Sequence, residues 1–168
     1  MKIYDCFMFF DEEMLLDLRL NIMDKYVDKF VITEATYMHN GERKKLLFDI
    51  NKFSKFKDKI IYIVVDKIPP DVETISGHDD SETINAKTQS NAYKRHIHQL
   101  EKVSSGISGA DPNDIIIISD LDEIPNLKNL NFSEIKKKLI FFKQKMFYYK
   151  LNLFYELIPW YGSKACKK

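Results

Sequence analysis

Cysteine is nearly missing from these 168 residues: there are two, Cys6 and Cys166, at opposite ends of the chain. They make no metal-ligand spacing and no disulfide framework, so a reducing compartment is the simpler expectation. Net charge is almost absent too, a formal +1 from 26 basic and 25 acidic side chains. No apolar run approaches the roughly 18 residues of a membrane span. The longest strongly apolar stretch is only Ile115 to Ile118. The opening Met1-Lys2-Ile3-Tyr4-Asp5 puts an acid where a signal peptide carries its apolar segment. Repeats, low-complexity tracts and linkers are also lacking. A cytoplasmic protein without a membrane span is expected.

What is present is ordinary for an ordered globular chain: 45% hydrophobic and 30% charged residues. A chain of this length buries roughly 70% of its unfolded surface and needs no staple to hold a core. Residues 1–168 are therefore expected to form a single domain. The near-zero total hides an asymmetry, because from Lys136 onward nine lysines face one acid, Glu156. Such a stretch attracts phosphates, nucleic acid or an anionic membrane face. A solvated lysine-rich surface is the simpler account, and no nucleic-acid partner is expected.

Two periodicities alternate along the chain. Lys2 to Phe10 has the pattern of a strand, and Asp11 is placed to cap a helix whose first turn holds Glu12 and Glu13. Leu15, Leu18, Ile22 and Tyr26 recur at helical steps and predict its buried face. Lys29 to Ala35 and Lys59 to Val65 are further strands; the latter is too uniformly apolar to have a wet face. Pro69-Pro70 and the polar segment Asp71 to Asp80 form a loop. Asp80 or Ser81 then caps a long helix ending near Ser104. Asp114 to Ser119 is a fourth buried strand. This order is that of an α/β fold with a mostly parallel central sheet and helices on both faces. The aromatic run Leu139 to Tyr161 either closes the sheet or belongs to a larger fold, with no further element expected after it.

The strongest chemical signal is Ile118-Ser119-Asp120-Leu121-Asp122-Glu123-Ile124-Pro125. In open α/β sheets ligands bind beyond the carboxyl ends of the strands, where Asp120 and Asp122 fall. Two carboxylates there are hard oxygen ligands suited to Mg²⁺ or Mn²⁺, with positions left for water and phosphate. Such an ion would neutralise charge on a departing diphosphate. Helix capping by Asp122 or Glu123 ahead of Pro125 is the competing structural role. Two chemistries share this motif: nucleotide-sugar glycosyl transfer and the haloacid-dehalogenase phosphatases. The latter normally carry it on the first strand, with more chain after it. His78 with Asp79 and Asp80 lies in a polar loop and is not expected to ligate a metal. His96 and His98 are expected on a solvated helix face. Trp160, Tyr148, Tyr149, Tyr155 and Tyr161 are candidates for sugar stacking or for the core.

Several segments together resemble glycosyltransferase family 17. They are Tyr4-Asp5-Cys6-Phe7, Leu15 to Asn21, Phe30 to Thr36, Asn40-Gly41, Leu46-Leu47-Phe48, Gln89-Ser90-Asn91-Ala92, and the acidic motif with its flanks. The trace continues through Tyr148 to Asn152 and Trp160 to Ser163. Ser90 departs from the pattern, which has Arg there. The resemblance implies a GT-A-like fold and metal-dependent, inverting transfer of N-acetylglucosamine from a UDP-sugar donor to a glycan acceptor. It implies Asp120 and Asp122 as metal ligands, and Asp120, Asp122 and Glu123 as the catalytic group. It implies Glu34, Arg19, Gln89, Asn91 and Arg95 as donor-binding residues, with Glu34 contacting the nucleoside or orienting Arg19. It also implies a longer chain, so the acceptor part is expected to be incomplete in residues 1–168. A nucleotide-sugar-binding module without turnover is the alternative.

Overall fold

The structure, a computed structural model, describes residues 1–147, 149–150 and 152–168. Tyr148, one of the stacking candidates, lies outside the described residues, as does Leu151. The elements are β1 (Ile3–Phe9), α1 (Glu13–Met23), β2 (Lys29–Ala35), β3 (Ile60–Val65), α2 (Ser81–Glu101), α3 (Val103–Gly106) and β4 (Ile115–Ile118). They are followed by β5 (Leu139–Phe141), β6 (Gln144–Phe147), β7 (Phe154–Trp160) and β8 (Lys164–Lys167). Six strands form one sheet in the order β3-β2-β1-β4-β8-β5. The pairings from β3 to β4 are parallel and those of β8 are antiparallel. The expected α/β sheet is thus present, mostly parallel.

Side-chain alternation along the strands sorts the core into two layers. Phe7, Phe9, Phe30, Ile32, Ile115 and Ile117 pack with Leu16, Leu20 and Met23 of α1. Tyr4, Cys6, Val31 and Ile116 pack on the other face with Val103 of α3. Both faces of β1, β2 and β4 are covered, which is why these strands lack a polar side. β3, at the edge, is only partly buried and Val64 is exposed, contrary to the expectation of no wet face. A strand's apolar run does not tell an edge place from a central one. The long helix α2 begins as expected, with Asp80 at the N-cap accepting the Thr83 amide at 2.8 Å. No helix among the described residues is long and apolar enough to cross a membrane.

Three other local expectations change. The buried stripe of α1 is Leu16, Arg19, Leu20 and Met23, and the expected Leu18 and Ile22 face outward. The helix carries two apolar stripes, and a charged residue in the inner one hid it from a pattern that counts only apolar positions. At its start Glu12, not Asp11, occupies the N-cap, and it makes no side-chain cap bond. After Tyr161 the chain forms β8, which lies between β4 and the edge strand β5. Lys-Ala-Cys-Lys has little strand signal of its own; its partner β4 supplies the pairing. β6 and β7 form a separate two-stranded sheet.

Candidate active site

From β1 the chain steps outward through β2 to β3, then returns through α2 to place β4 on the opposite side of β1. The connections leaving β1 and β4 therefore diverge, and a crevice opens beyond their carboxyl ends. It encloses about 350 Å³. Met8, Phe9 and Phe10 come from the end of β1, Glu12 and Leu15 from the start of α1, and Asp120, Leu121 and Asp122 from the loop after β4. His39, from the turn after β2, and His96 and Gln99, from α2, complete it.

The acidic loop is held from beneath by Arg19. Its guanidinium is fully enclosed and meets Asp5 through two bonds, Nε to Oδ2 at 2.9 Å and Nη2 to Oδ1 at 2.7 Å. Nη1 donates to the carbonyls of Asp120, Leu121 and Glu123 at 2.9, 3.0 and 3.2 Å, and Nη2 to Ser119 Oγ at 2.6 Å. Every guanidinium nitrogen is engaged, and the Phe7 ring lies 4.5 Å from its centre. A fork this rigid fixes a loop better than a lone ammonium would. Arg19 therefore shapes the backbone under Asp120 and presents no charge to the crevice.

Glu123 closes the same loop. Its carboxylate accepts the Asp120 amide at 3.1 Å and the Trp160 indole N–H, while its carbonyl accepts Ser163 Oγ at 2.9 Å. It is buried, and a Cβ on Gly162 would collide with its carboxylate. No helix opens at Pro125, so neither Asp122 nor Glu123 caps one; the Glu123 carboxylate instead braces its own loop, with Trp160 as its partner. Asp120 and Asp122 are exposed, line the crevice, and join no ion pair among the described residues.

Glu34 does not meet Arg19. It is buried and binds Lys44 Nζ at 2.5 Å, the amides of Leu47 and Phe48 at 2.8 and 3.1 Å, and the Tyr62 hydroxyl at 2.8 Å. Burial, then this bond and the carboxylate charge, push the Tyr62 phenol up. Lys44 also reaches the Phe10 carbonyl at 3.2 Å, so the cluster ties the segment after β2 to the crevice rim.

On α2 the expected donor-binding residues divide. Gln89 is exposed. Asn91 is buried and pairs with the backbone of Glu73, accepting its N–H and donating to its carbonyl, both at 2.8 Å. Arg95 is buried and donates to the His39 carbonyl at 2.8 Å. Gly41, at φ +93°, leaves room for that guanidinium; a Cβ there would sit 2.7 Å from Nη2. Both residues anchor loops, with Arg95 setting the turn that carries His39.

Sequence reasoning missed His39, Glu12 and Gln99, and left His96 on a solvated face. His39 and His96 stack edge to face with ring centroids 5.7 Å apart. Burial first, then the His96 and Arg95 charges, hold His39 below the usual 6.5, against a smaller upward pull from Asp120. The available signal was position: Met38-His39-Asn40-Gly41 follows a parallel strand at its carboxyl end. His78 is exposed, Asp79 pairs with Lys87 and Asp80 caps α2.

Among the described residues no three His, Cys, Asp or Glu side chains converge as a metal site. Two exposed carboxylates that join no ion pair among the described residues nonetheless fit a hard divalent ion that fills its remaining positions with water and substrate phosphate.

The sequence model of glycosyltransferase family 17 matches residues 1–165. Over 115 residues, 66% of this chain, the sequence is 30% identical to the human and rat proteins named β-1,4-mannosyl-glycoprotein 4-β-N-acetylglucosaminyltransferase. The mouse protein of that name is 29% identical over the same length. The match covers 19% of each of these proteins, so the chain spans about a fifth of the length of the curated relatives it matches. No solved structure matches it. With the family pattern running from β1 through the acidic loop to Ala165, the chain belongs to glycosyltransferase family 17.

Proposed function

We propose that the chain is the donor-binding domain of a GT-A-like, inverting glycosyltransferase. It would carry N-acetylglucosamine from a UDP donor to a sugar hydroxyl of a glycan, in the cytoplasm. The observation that carries this proposal is the pair Asp120 and Asp122, exposed at the switch-point crevice on a loop that Arg19 and Glu123 hold rigid. Family membership and the name of the mammalian relatives supply the sugar.

Asp120 and Asp122 would hold Mn²⁺ or Mg²⁺, which supplies charge neutralisation for the departing diphosphate. The protein contributes preorganisation: a loop already ordered does not have to reorganise as charge develops. Arg19 and Glu123 act as positioning residues, and Arg95 and Asn91 position the loops around the crevice. Glu34 braces the rim through Lys44. Gln89 remains a candidate for outer donor contacts from its exposed place on α2. An inverting transfer needs a group to take the acceptor hydroxyl proton. Glu12, His39 and His96 line the crevice, and His39 is biased toward the neutral form that accepts one.

Calorimetric titration with UDP in the presence and absence of Mn²⁺ tests the proposal. Metal-dependent binding by the wild type that is lost in Asp122→Ala supports it. No binding, or equal binding in that variant, removes it. Release of N-acetylglucosamine from the UDP donor then separates a transferase from a binding module without turnover.

A further inference from the structure

We propose that the β6–β7 hairpin, with the lysines on it, is a docking surface for an anionic lipid membrane. The hairpin stands apart from the six-stranded sheet, and its pairing breaks register: Gln144 opposes Trp160, but Met146 opposes Tyr155. The extra residues on β7 bulge outward and carry Leu157, 82% exposed, and Ile158, 57% exposed. Phe147 and Phe154 pack together with centroids 5.5 Å apart and both remain exposed. Aliphatic and aromatic side chains grouped on one exposed hairpin mark an interaction surface.

Charge identifies the partner. Lys143, just before β6, and Lys145 on it are exposed, with Lys145 Nζ 5.7 Å from the Phe154 ring. The whole chain from Lys136 holds nine lysines against Glu156 alone. Lysines near a bilayer gain from the negative potential of acidic lipids, and their stems follow the apolar side chains while the ammonium groups stay wet. A second copy would set one lysine-rich face against another. Nucleic acid would reward stacking aromatics but offers nothing to Leu157 and Ile158, which partition into acyl chains. Trp160 ties the hairpin to Glu123, so docking would bring the crevice close to the lipid surface.

The proposal stands independently of the donor site. Its test is sedimentation of the 168-residue chain with phosphatidylcholine vesicles, with and without phosphatidylglycerol. The emission of Trp160, the one tryptophan, is followed in parallel. The expected result is co-sedimentation and a blue shift with phosphatidylglycerol vesicles only, weakening as salt rises. Affinity should fall roughly fivefold per lysine in Lys143→Gln and Lys145→Gln. It should fall at least tenfold in Leu157→Glu/Ile158→Glu, whose circular dichroism should match the wild type because neither side chain enters the core. Binding to neither vesicle, equal binding to both, or binding unchanged in the Leu157/Ile158 variant overturns the proposal. A dimer that this variant dissociates overturns it as well, by assigning the face to a second copy.

Discussion

Arg19 and Asp5 form a two-bond ion pair with both side chains sealed from solvent, and the same guanidinium grips three carbonyls of the acidic loop. A charge pair joining the first strand to the first helix thereby sets the position of a loop more than a hundred residues later. Burying a carboxylate and a guanidinium is costly unless each is fully satisfied, and here the loop carbonyls and Ser119 complete the satisfaction.

Arg19→Met should lower stability by about 3–5 kcal/mol, because Asp5 is left buried without a partner. Arg19→Lys restores charge but not the fork, so it should recover only part of the loss. Urea denaturation measures both, and a loss under about 1 kcal/mol for Arg19→Met would contradict the clamp.

Asp120→Asn and Asp122→Asn should behave in the opposite way. Neither carboxylate joins an ion pair among the described residues, so stability should stay within about 0.5 kcal/mol of wild type. Mn²⁺-dependent UDP binding should meanwhile fall at least tenfold. Thermal unfolding and titration of the same samples decide the matter; unfolded variants would make these aspartates structural.

His39 should titrate below 6.5 in histidine-resolved NMR, and removing its neighbour in His96→Ala should move it upward. The folded state then binds fewer protons than the unfolded chain between the folded midpoint and 6.5. The contribution of His39 to stability is complete above 6.5 and is lost as pH falls through the folded midpoint. A midpoint at or above 6.5 would show that burial and Arg95 do not govern this ring.

Gly41→Ala should destabilise by more than about 1 kcal/mol, since φ +93° disfavours any side chain and the new methyl would crowd Arg95. The His39 resonances should shift with it, because Arg95 holds the His39 carbonyl. Unchanged resonances would disconnect Arg95 from the turn.

Glu34→Ala should loosen the 44–48 segment, leaving Lys44 with a carboxylate removed and the amides of Leu47 and Phe48 unmatched. Faster amide exchange confined to these residues and the Phe10 rim is the expected signature. Exchange equal to wild type would show that the cluster does not brace the crevice.

Much of the architecture was legible before any coordinates. Four apolar runs with intervening helical stretches announce parallel strands, and Asp80 marks the start of α2 through its own cap. The acidic motif was legible because it ends a buried strand. The direction of α1 and the partners of its charges were not. Arg19 belongs to the inner stripe for a reason located in β1, and nothing local in the sequence pairs Glu34 with Lys44 and Tyr62. Asn91 and Arg95 have the residue types of donor ligands, yet their amide and guanidinium are used on backbone groups of neighbouring loops.

Local patterning, then, determined which segments are strands and helices and which loop carries the acids, because burial on both sheet faces and helix capping act over a few residues. Tertiary structure alone decided which side chains reach the crevice, which are sealed beneath it, and that Lys164 to Lys167 joins the sheet between β4 and β5. Those outcomes depend on partners tens of residues away, and a polar group's role is set by the partner it meets.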